Sequence, residues 1–441
     1  SYGDPRIPGY RGNPLIEALP RIWSSDEVAK CLMRYPEYDE AQRAWPSELR
    51  FHLIRNAVNF FEPLPIHLDL EQRFSCMIRM GYQARNPVQP GFWSTIDEGV
   101  ASIVSSGIST RTGYGRSTAF GFAVIGISGI GKTTAVEAIL SLYPQVIYHS
   151  QYDQQAFSRV QVVWLKLDCP FDGSVKGLCL NFFQAIDNLL DTQYYLNYAR
   201  RGRSTVDEML PQMARVASIH GLGVLVIDEL QHLSEARSGG SNKMLNFFVQ
   251  LVNTIGMPVV LIGTYKALPL LRGEFRQARR GTGQGDLVWD RMDNDHLWRY
   301  FLESLWRYQY VRIPSPLTDE LSDTLYDVTQ GITDFAVKVY MLAQIRAIVT
   351  GMERVTRAAI RSVATDSLRL AAPVLRALRK GDSIALQTVE DVYIDLDKLV
   401  TRETRTGVSL PTVTTASIAG KEKRGAILDP SAGGPRPTVQ K

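Results

Sequence analysis

Cysteine is scarce. The 441 residues hold four (Cys31, Cys76, Cys169 and Cys179), scattered and without a C-x-x-C pair. That spacing argues against a zinc site or a disulfide scaffold and makes a reducing cytoplasm the expected setting. Long apolar runs are missing too: no uninterrupted stretch approaches the length needed to cross a bilayer, and no basic-then-apolar pattern opens the chain. The expectation is a cytoplasmic protein with no membrane role. Nor is there an excess of either charge, since 49 basic residues against 45 acidic ones leave a net charge of +4. That balance neither demands nor excludes nucleic acid, so any basic surface must be local. No internal repeat stands out. What remains, 45% hydrophobic and 21% charged residues, describes a globular chain long enough for two or three domains.

The most informative stretch is Gly121 to Leu140, GFAVIGISGIGKTTAVEAIL. Phe122-Ala123-Val124-Ile125 suits a buried parallel strand, and a helical pattern runs from Thr134 to Leu140. Between them lies Gly126-Ile127-Ser128-Gly129-Ile130-Gly131-Lys132-Thr133, a P-loop in the strand-to-helix setting that its mechanism requires. Phosphates need several backbone N–H groups aimed at them from the positive end of a helix, and glycine lets the backbone come close enough. The loop from Gly126 through Ser128, Gly129, Ile130 and Gly131 to Lys132, Thr133 and Thr134 is therefore the candidate phosphate cradle for ATP. Lys132 can reach the β- and γ-phosphates, and the Thr133 hydroxyl is placed for Mg²⁺.

Downstream, Gly221 to Glu229 forms a continuous apolar run ending in two acids, as a central parallel strand would. Asp228 falls at the carboxyl end of that strand, where α/β sheets hold ligands, and can hold Mg²⁺ through water. Glu229 is placed to orient or deprotonate an attacking water. A further buried strand, Pro258 to Thr264, ends in a hydroxyl with two readings: Thr264 senses the γ-phosphate or positions water, or it only caps the next helix. The basic run Arg272 to Arg280 also has two: a solvated face, or arginines, Arg279 or Arg280 in particular, that reach a neighbouring subunit's nucleotide in an oligomer.

Around this core the chain divides into a helical N-terminal arm or docking region (1–90), the ATPase core (91–315), a helical lid with C-terminal helices (316–396) and a polar tail (397–441). Gly and Pro in the first dozen residues predict an extended arm. Trp23, Trp45, Phe60 and Phe61 are the anchors of the N-terminal region, either as core or as a platform for a partner protein. The tail, rich in Thr, Gly and Pro, is expected to be disordered.

The P-loop GISGIGKTT, the strand VLVIDELQHL and the strand VVLIGTYKAL, in this order, resemble AAA+ ATPases of the DNA-transposition regulator group, the TnsC, TniB and MuB type. LKLDCPFDGSVKGLCLNFF from Leu165 to Phe183, with YRGNPLIEALP and GYQARNP near the N-terminus, is similar to TnsC itself, and the likeness runs from about Tyr10 to about Ala347. The resemblance implies an α/β fold of the AAA+ P-loop NTPase kind: a parallel central sheet, a helical lid and a helical N-terminal extension. It also implies ATP with Mg²⁺, a homo-oligomeric ring or helical filament on duplex DNA, and a link between a target-selection protein of the TnsD or TniQ type and the transposase. The N-terminal region would meet the former and the tail the latter. DNA-facing positions carried over from the family are Lys176, Arg201, Arg203 and Thr205. Read from the residues alone, these are basic groups at helix starts that can meet phosphates without reading sequence, or else solvated charges. At the lid this chain departs from the family, which carries an arginine shortly after the lid glycine: here Thr333, Asp334 and Phe335 follow, and Lys338 is the nearest base for nucleotide. Two other classes fit the same motifs, a scaffolding or signalling P-loop NTPase with protein partners only and a helicase-loader-like ATPase.

Overall fold

The computed structural model describes residues 2–104, 119–198, 204–235, 240–271, 285–388 and 395–406. Arg201, Arg203, Arg279 and Arg280 lie outside the described residues, as does the chain beyond residue 406.

A five-stranded parallel sheet forms the centre. Its strands are β1 (Phe122–Gly126), β4 (Trp164–Asp168), β5 (Val224–Asp228), β6 (Val259–Gly263) and β7 (Leu287–Trp289), in the order β4-β5-β6-β1-β7. The P-loop strand β1 and the acid-bearing strand β5 are therefore not neighbours. β6 runs between them and delivers Thr264 to the gap. Every residue of β1, β5 and β6 is buried, which explains the unbroken apolar runs: a strand covered on both faces has no solvated side to mark by alternation. Alternate residues feed two separate cores. Leu225, Ile227 and Leu261 point to one, shared with helices α5 (Phe92–Val104), α7 (Val175–Leu190), α9 (Val206–Ile219) and α10 (Gly240–Gln250). Val224, Val226 and Ile262 point to the other, shared with α4 (Pro65–Gln83) and α6 (Lys132–Leu140).

Glycine is required where β1 meets the P-loop. A Cβ on Gly126 would lie 2.3 Å from the Trp289 carbonyl oxygen on β7. Gly131 caps α6 in the left-handed region, with φ of 99°, and turns the chain so that the helix starts behind the loop.

The stretch Val160 to Leu167, which reads as one strand, is two. Residues Gln155–Val162 (β3) pair antiparallel with Val146–Tyr152 (β2) in a separate hairpin, and Trp164 begins the sheet strand β4. The N-terminal region is no separable arm. Its helix α4 is one of the layers on the sheet, while α3 (Ser47–Asn56) packs with the lid. Even the first residues are tied down: Gly3 N–H donates to Glu17 O at 2.8 Å, and the Tyr2 hydroxyl is hydrogen-bonded to His149 Nδ1 at 2.7 Å. Of the four expected anchors, Phe60 and Phe61 are buried, Trp23 stacks edge-on against Tyr143, and Trp45 stays exposed.

The lid begins earlier than residue 316, because helix α12 (His296–Trp306) already belongs to its core together with α13 (Asp319–Thr329) and α14 (Thr333–Val349). It also ends later. Leu396–Thr406 forms a helix, α18, instead of opening a disordered tail. Arg346 on α14 holds it through Glu403, and Val400 joins the lid core. A strong amphipathic pattern within that polar composition was the signal for it. The N-terminal α3 is fixed to the lid by an ion pair that is nearly solvent-free: both Arg50 guanidinium nitrogens donate to Glu353, each at 2.7 Å, and Arg50 is 1% exposed. Among the described residues no helix is long and apolar enough to cross a membrane.

Candidate functional site

The carboxyl ends of β1, β5 and β6 converge on a cavity of about 390 Å³ lined by Ser128, Gly129, Gly131, Lys132, Thr133 and Thr134 on one side and Asp228, Glu229, Gln231 and Thr264 on the other. The fold thus brings together the two motifs that lie about a hundred residues apart in sequence. Thr133 Oγ1 donates to Asp228 Oδ2 at 2.8 Å, and the Glu229 N–H donates to Asp228 Oδ1 at 2.8 Å. The Lys132 ammonium donates to the P-loop carbonyls of Gly126 and Ile127, at 2.9 and 2.8 Å. Gly126 contributes that carbonyl from beneath the loop, whereas Ile130 faces a second cavity and its N–H closes the loop turn onto Ile127 O.

Lys166 on β4 is a residue that sequence reasoning missed. Its ammonium lies 3.4 Å from Asp228, 3.0 Å from Asp168 and 3.2 Å from Glu137. Partial burial works against the charge, but the hydrogen bond to Asp168 and the Asp228 carboxylate outweigh it and hold the Lys166 pKa above the usual lysine range. A lysine facing into a parallel strand pair is visible in the sequence; that three acids surround it is not.

Glu229 has a left-handed backbone, with φ of 56°, uncommon for a residue with a side chain, and this turns its half-exposed carboxylate out of the strand direction. Thr264 does not cap the following turn. Its side chain makes no capping hydrogen bond, and its Oγ1 is buried without a partner beside the cavity.

A larger cavity, about 420 Å³, opens on the other side of the loop and shares Gly131, Thr134, Asp334 and Lys338 with the first. Its walls come from three distant places: Phe60, Phe61 and His67 of the N-terminal region, Trp289 to Asp293 after β7, and Thr333 to Lys338 of the lid. The His67 ring lies tilted between Phe61 and Trp289, with ring centroids at 4.7 and 5.3 Å, and its Nδ1 accepts from the Leu64 N–H at 2.8 Å. Burial pushes its pKa down to about 4, so the ring is neutral at physiological pH. Phe60 and Phe61 read from the sequence as partner-docking or core residues, and His67 carries no signal there; the place of all three beside the P-loop appears only in the fold.

The lid helix α14 starts directly on the P-loop. Asp334 N–H donates to Gly129 O at 3.3 Å, and Thr333 Oγ1 donates to Ile130 O at 3.3 Å. Lys338, one turn on, is brought to both cavities and is ion-paired with Asp334 at 2.8 Å.

Of the DNA candidates described, Lys176 lies in the first turn of α7, whose N-cap Ser174 accepts from Gly177 N–H at 3.0 Å. Thr205 is the N-cap of α9: its Oγ1 accepts from Glu208 N–H at 3.3 Å, and the Glu208 carboxylate accepts from Thr205 N–H at 2.9 Å. Both helices pack on the same face of the sheet.

The donor set fits Mg²⁺. Thr133 and Asp228 offer oxygen ligands only, as a hard cation prefers. Among the described residues no group of three or more His, Cys, Asp or Glu is arranged to hold a metal, so an ion here would complete its shell from phosphate oxygens and water.

Residues 116–271 match the family model of the AAA domain. With its parallel sheet and P-loop, the chain has an AAA+ P-loop NTPase fold. No curated protein matches it. Similar solved structures include the ORC1 protein of Aeropyrum pernix in complex with DNA, at 15% identity over 73% of this chain and 84% of that one, TM-score 0.38. Another is the Walker-type ATPase of Pyrococcus abyssi, at 13% identity over 70% and 88%, TM-score 0.39. A third is Cdc6p of Pyrobaculum aerophilum, at 12% identity over 73% and 87%, TM-score 0.38.

Proposed function

We propose that this AAA+ chain is an ATP-dependent regulator of DNA transposition. It assembles as a homo-oligomeric ring or filament on duplex DNA and connects a target-selection protein to the transposase. The observation that carries the nucleotide part is the convergence of Lys132, Thr133, Asp228, Glu229 and Thr264 on one cavity, continuous with a second, more apolar one large enough for a base and sugar. The sequence resemblance, strongest across Leu165 to Phe183, supports the remainder.

In this reading the P-loop amides from Gly126 to Thr134 and the Lys132 ammonium bind the phosphates, and Lys338 reaches the nucleotide from the lid. Thr133 and Asp228 would hold Mg²⁺, which neutralises charge on the phosphate oxygens when bound. Glu229 takes the proton of the attacking water as the water oxygen bonds to the γ-phosphorus. The bond to the β–γ bridging oxygen breaks, leaving ADP and phosphate. Thr264 donates its otherwise unpartnered hydroxyl at the γ-phosphate end. Arg279 or Arg280 approaches a neighbour's nucleotide. Lys176, Arg201, Arg203 and Thr205 meet DNA phosphates. The target selector, of the TnsD or TniQ type, docks on the N-terminal region, where Trp45 is exposed, and the transposase on the C-terminal tail.

Filter binding of random duplex DNA, with and without a non-hydrolysable ATP analogue, tests this. Analogue-dependent retention that falls steeply with salt is expected. If the analogue produced no DNA binding at low salt, the transposition reading would fall and a scaffold with protein partners alone would stand.

A further inference from the structure

Gln231 follows the acid pair by two residues, is buried to 4% exposure, and bridges two strand ends. The Thr264 backbone N–H donates to Gln231 Oε1 at 3.1 Å. A backbone N–H can only donate, so this bond fixes the orientation of the amide: its oxygen faces β6 and its NH2 group faces Glu229. That NH2 group donates to Glu229 Oε2. Glu229 itself lies beyond the end of its strand with a left-handed backbone, where no ladder hydrogen bond aims its side chain. His232 Nε2 lies 3.9 Å from the same carboxylate oxygen, outside hydrogen-bond range. Both strand ends joined by Gln231 face the phosphate cavity, one through a carboxylate and the other through the unpartnered Thr264 hydroxyl.

We infer that Gln231 is a positioning residue for hydrolysis: its amide holds the Glu229 carboxylate in register with Thr264, so that the base and the γ-phosphate end of the cavity are aligned as one unit. The inference rests on the ATPase reading above. A neutral amide is suited to this, because it directs the carboxylate without neutralising it as a lysine or arginine would.

Gln231→Glu tests the inference with little change of shape. The substitution keeps an acceptor for the Thr264 N–H and replaces the donor to Glu229 with a second carboxyl. Binding of a fluorescent ATP analogue should stay within about 2-fold of the wild type, and KM likewise, while kcat falls roughly 10- to 100-fold, the scale of a misplaced general base. The lost kcat should partly recover as pH is lowered towards about 6, since two facing carboxyls share a proton that restores the donor. Gln231→Ala should lose kcat without that recovery. In a Glu229→Gln background, either change should cost little more, because Gln231 acts through Glu229. A kcat for Gln231→Glu within about 2-fold of the wild type overturns the inference. So does a parallel loss of melting temperature and nucleotide binding, which would make the residue structural. If the wild type binds no ATP analogue, the ATPase reading fails and this one with it; if it binds and turns over ATP, the variants judge Gln231 alone.

Discussion

The two cavities proposed to hold the nucleotide, a phosphate half and a larger half, are built in opposite ways. The phosphate half takes its residues from two short contiguous motifs at the ends of β1 and β5, with Thr264 from β6 between them, and Lys132, Thr133 and Asp228 each answer to a partner within about 3 Å. The larger half is a meeting place of three segments that are far apart in the sequence, and its walls are mostly rings and aliphatic side chains. A loop and a strand end can be fixed by local geometry alone. A wall made of an N-terminal strap, a strand edge and a lid exists only once the whole chain has folded.

The sharpest way to separate the halves is to remove the charge from one. Lys132→Ala should weaken ATP binding by about 100-fold or more, the scale of a lost charge-assisted contact to phosphate, while leaving the melting temperature near that of the wild type. Nucleotide titration and thermal melts together check this. Wild-type affinity would mean that the loop amides alone hold the phosphates.

The larger half should instead break from a distance. Arg50→Ala removes two charge-assisted hydrogen bonds from Glu353, which keeps the Arg312 N–H at 3.1 Å, at a cost of about 1.5–3 kcal/mol, and loosens α3 from the lid with no change to any phosphate contact. Chemical denaturation reads the loss directly. A cost under about 1 kcal/mol would show that the pair is no more than a surface bridge.

A subtler probe is pH. The folded His67 pKa, near 4, lies below its unfolded value near 6.5. The unfolded chain therefore takes up a proton first as pH falls. His67 lowers stability progressively from about pH 6.5 down to about pH 4, by up to roughly 3 kcal/mol at the bottom of that window, and has no such effect above it. His67→Gln should flatten the stability profile between pH 7 and 5. An unchanged slope would show that the ring charges in place.

How much of this was legible beforehand follows the same division. The P-loop, Asp228 and Glu229 could be read because phosphate and metal chemistry require particular residues at fixed spacing, and the buried strands because a fully covered strand is apolar throughout. Lys166 could not be read as part of the site, since its partners Glu137, Asp168 and Asp228 come from three elements. Phe60 and Phe61 read as ordinary core or docking residues, because nothing in a short aromatic segment says which cavity it will wall. The tail composition concealed α18, whose Glu403 and Val400 are anchored by partners in the lid, Arg346 and the lid core, that lie far away in sequence. At the lid, Asp334 pairs with Lys338, and only the fold shows that Asp334 also sits against the loop through its backbone.

Gly126 ends the strand beneath the P-loop and Trp289 lines the larger cavity, and the two strands touch where the glycine has no side chain. Since the chain continues from Trp289 straight into the wall formed by Asp290 to Asp293, the separation between the phosphate-binding edge and that wall is set by a single hydrogen atom. Any larger group at position 126, alanine included, would have to push β7 outward and widen the gap between the P-loop and that wall.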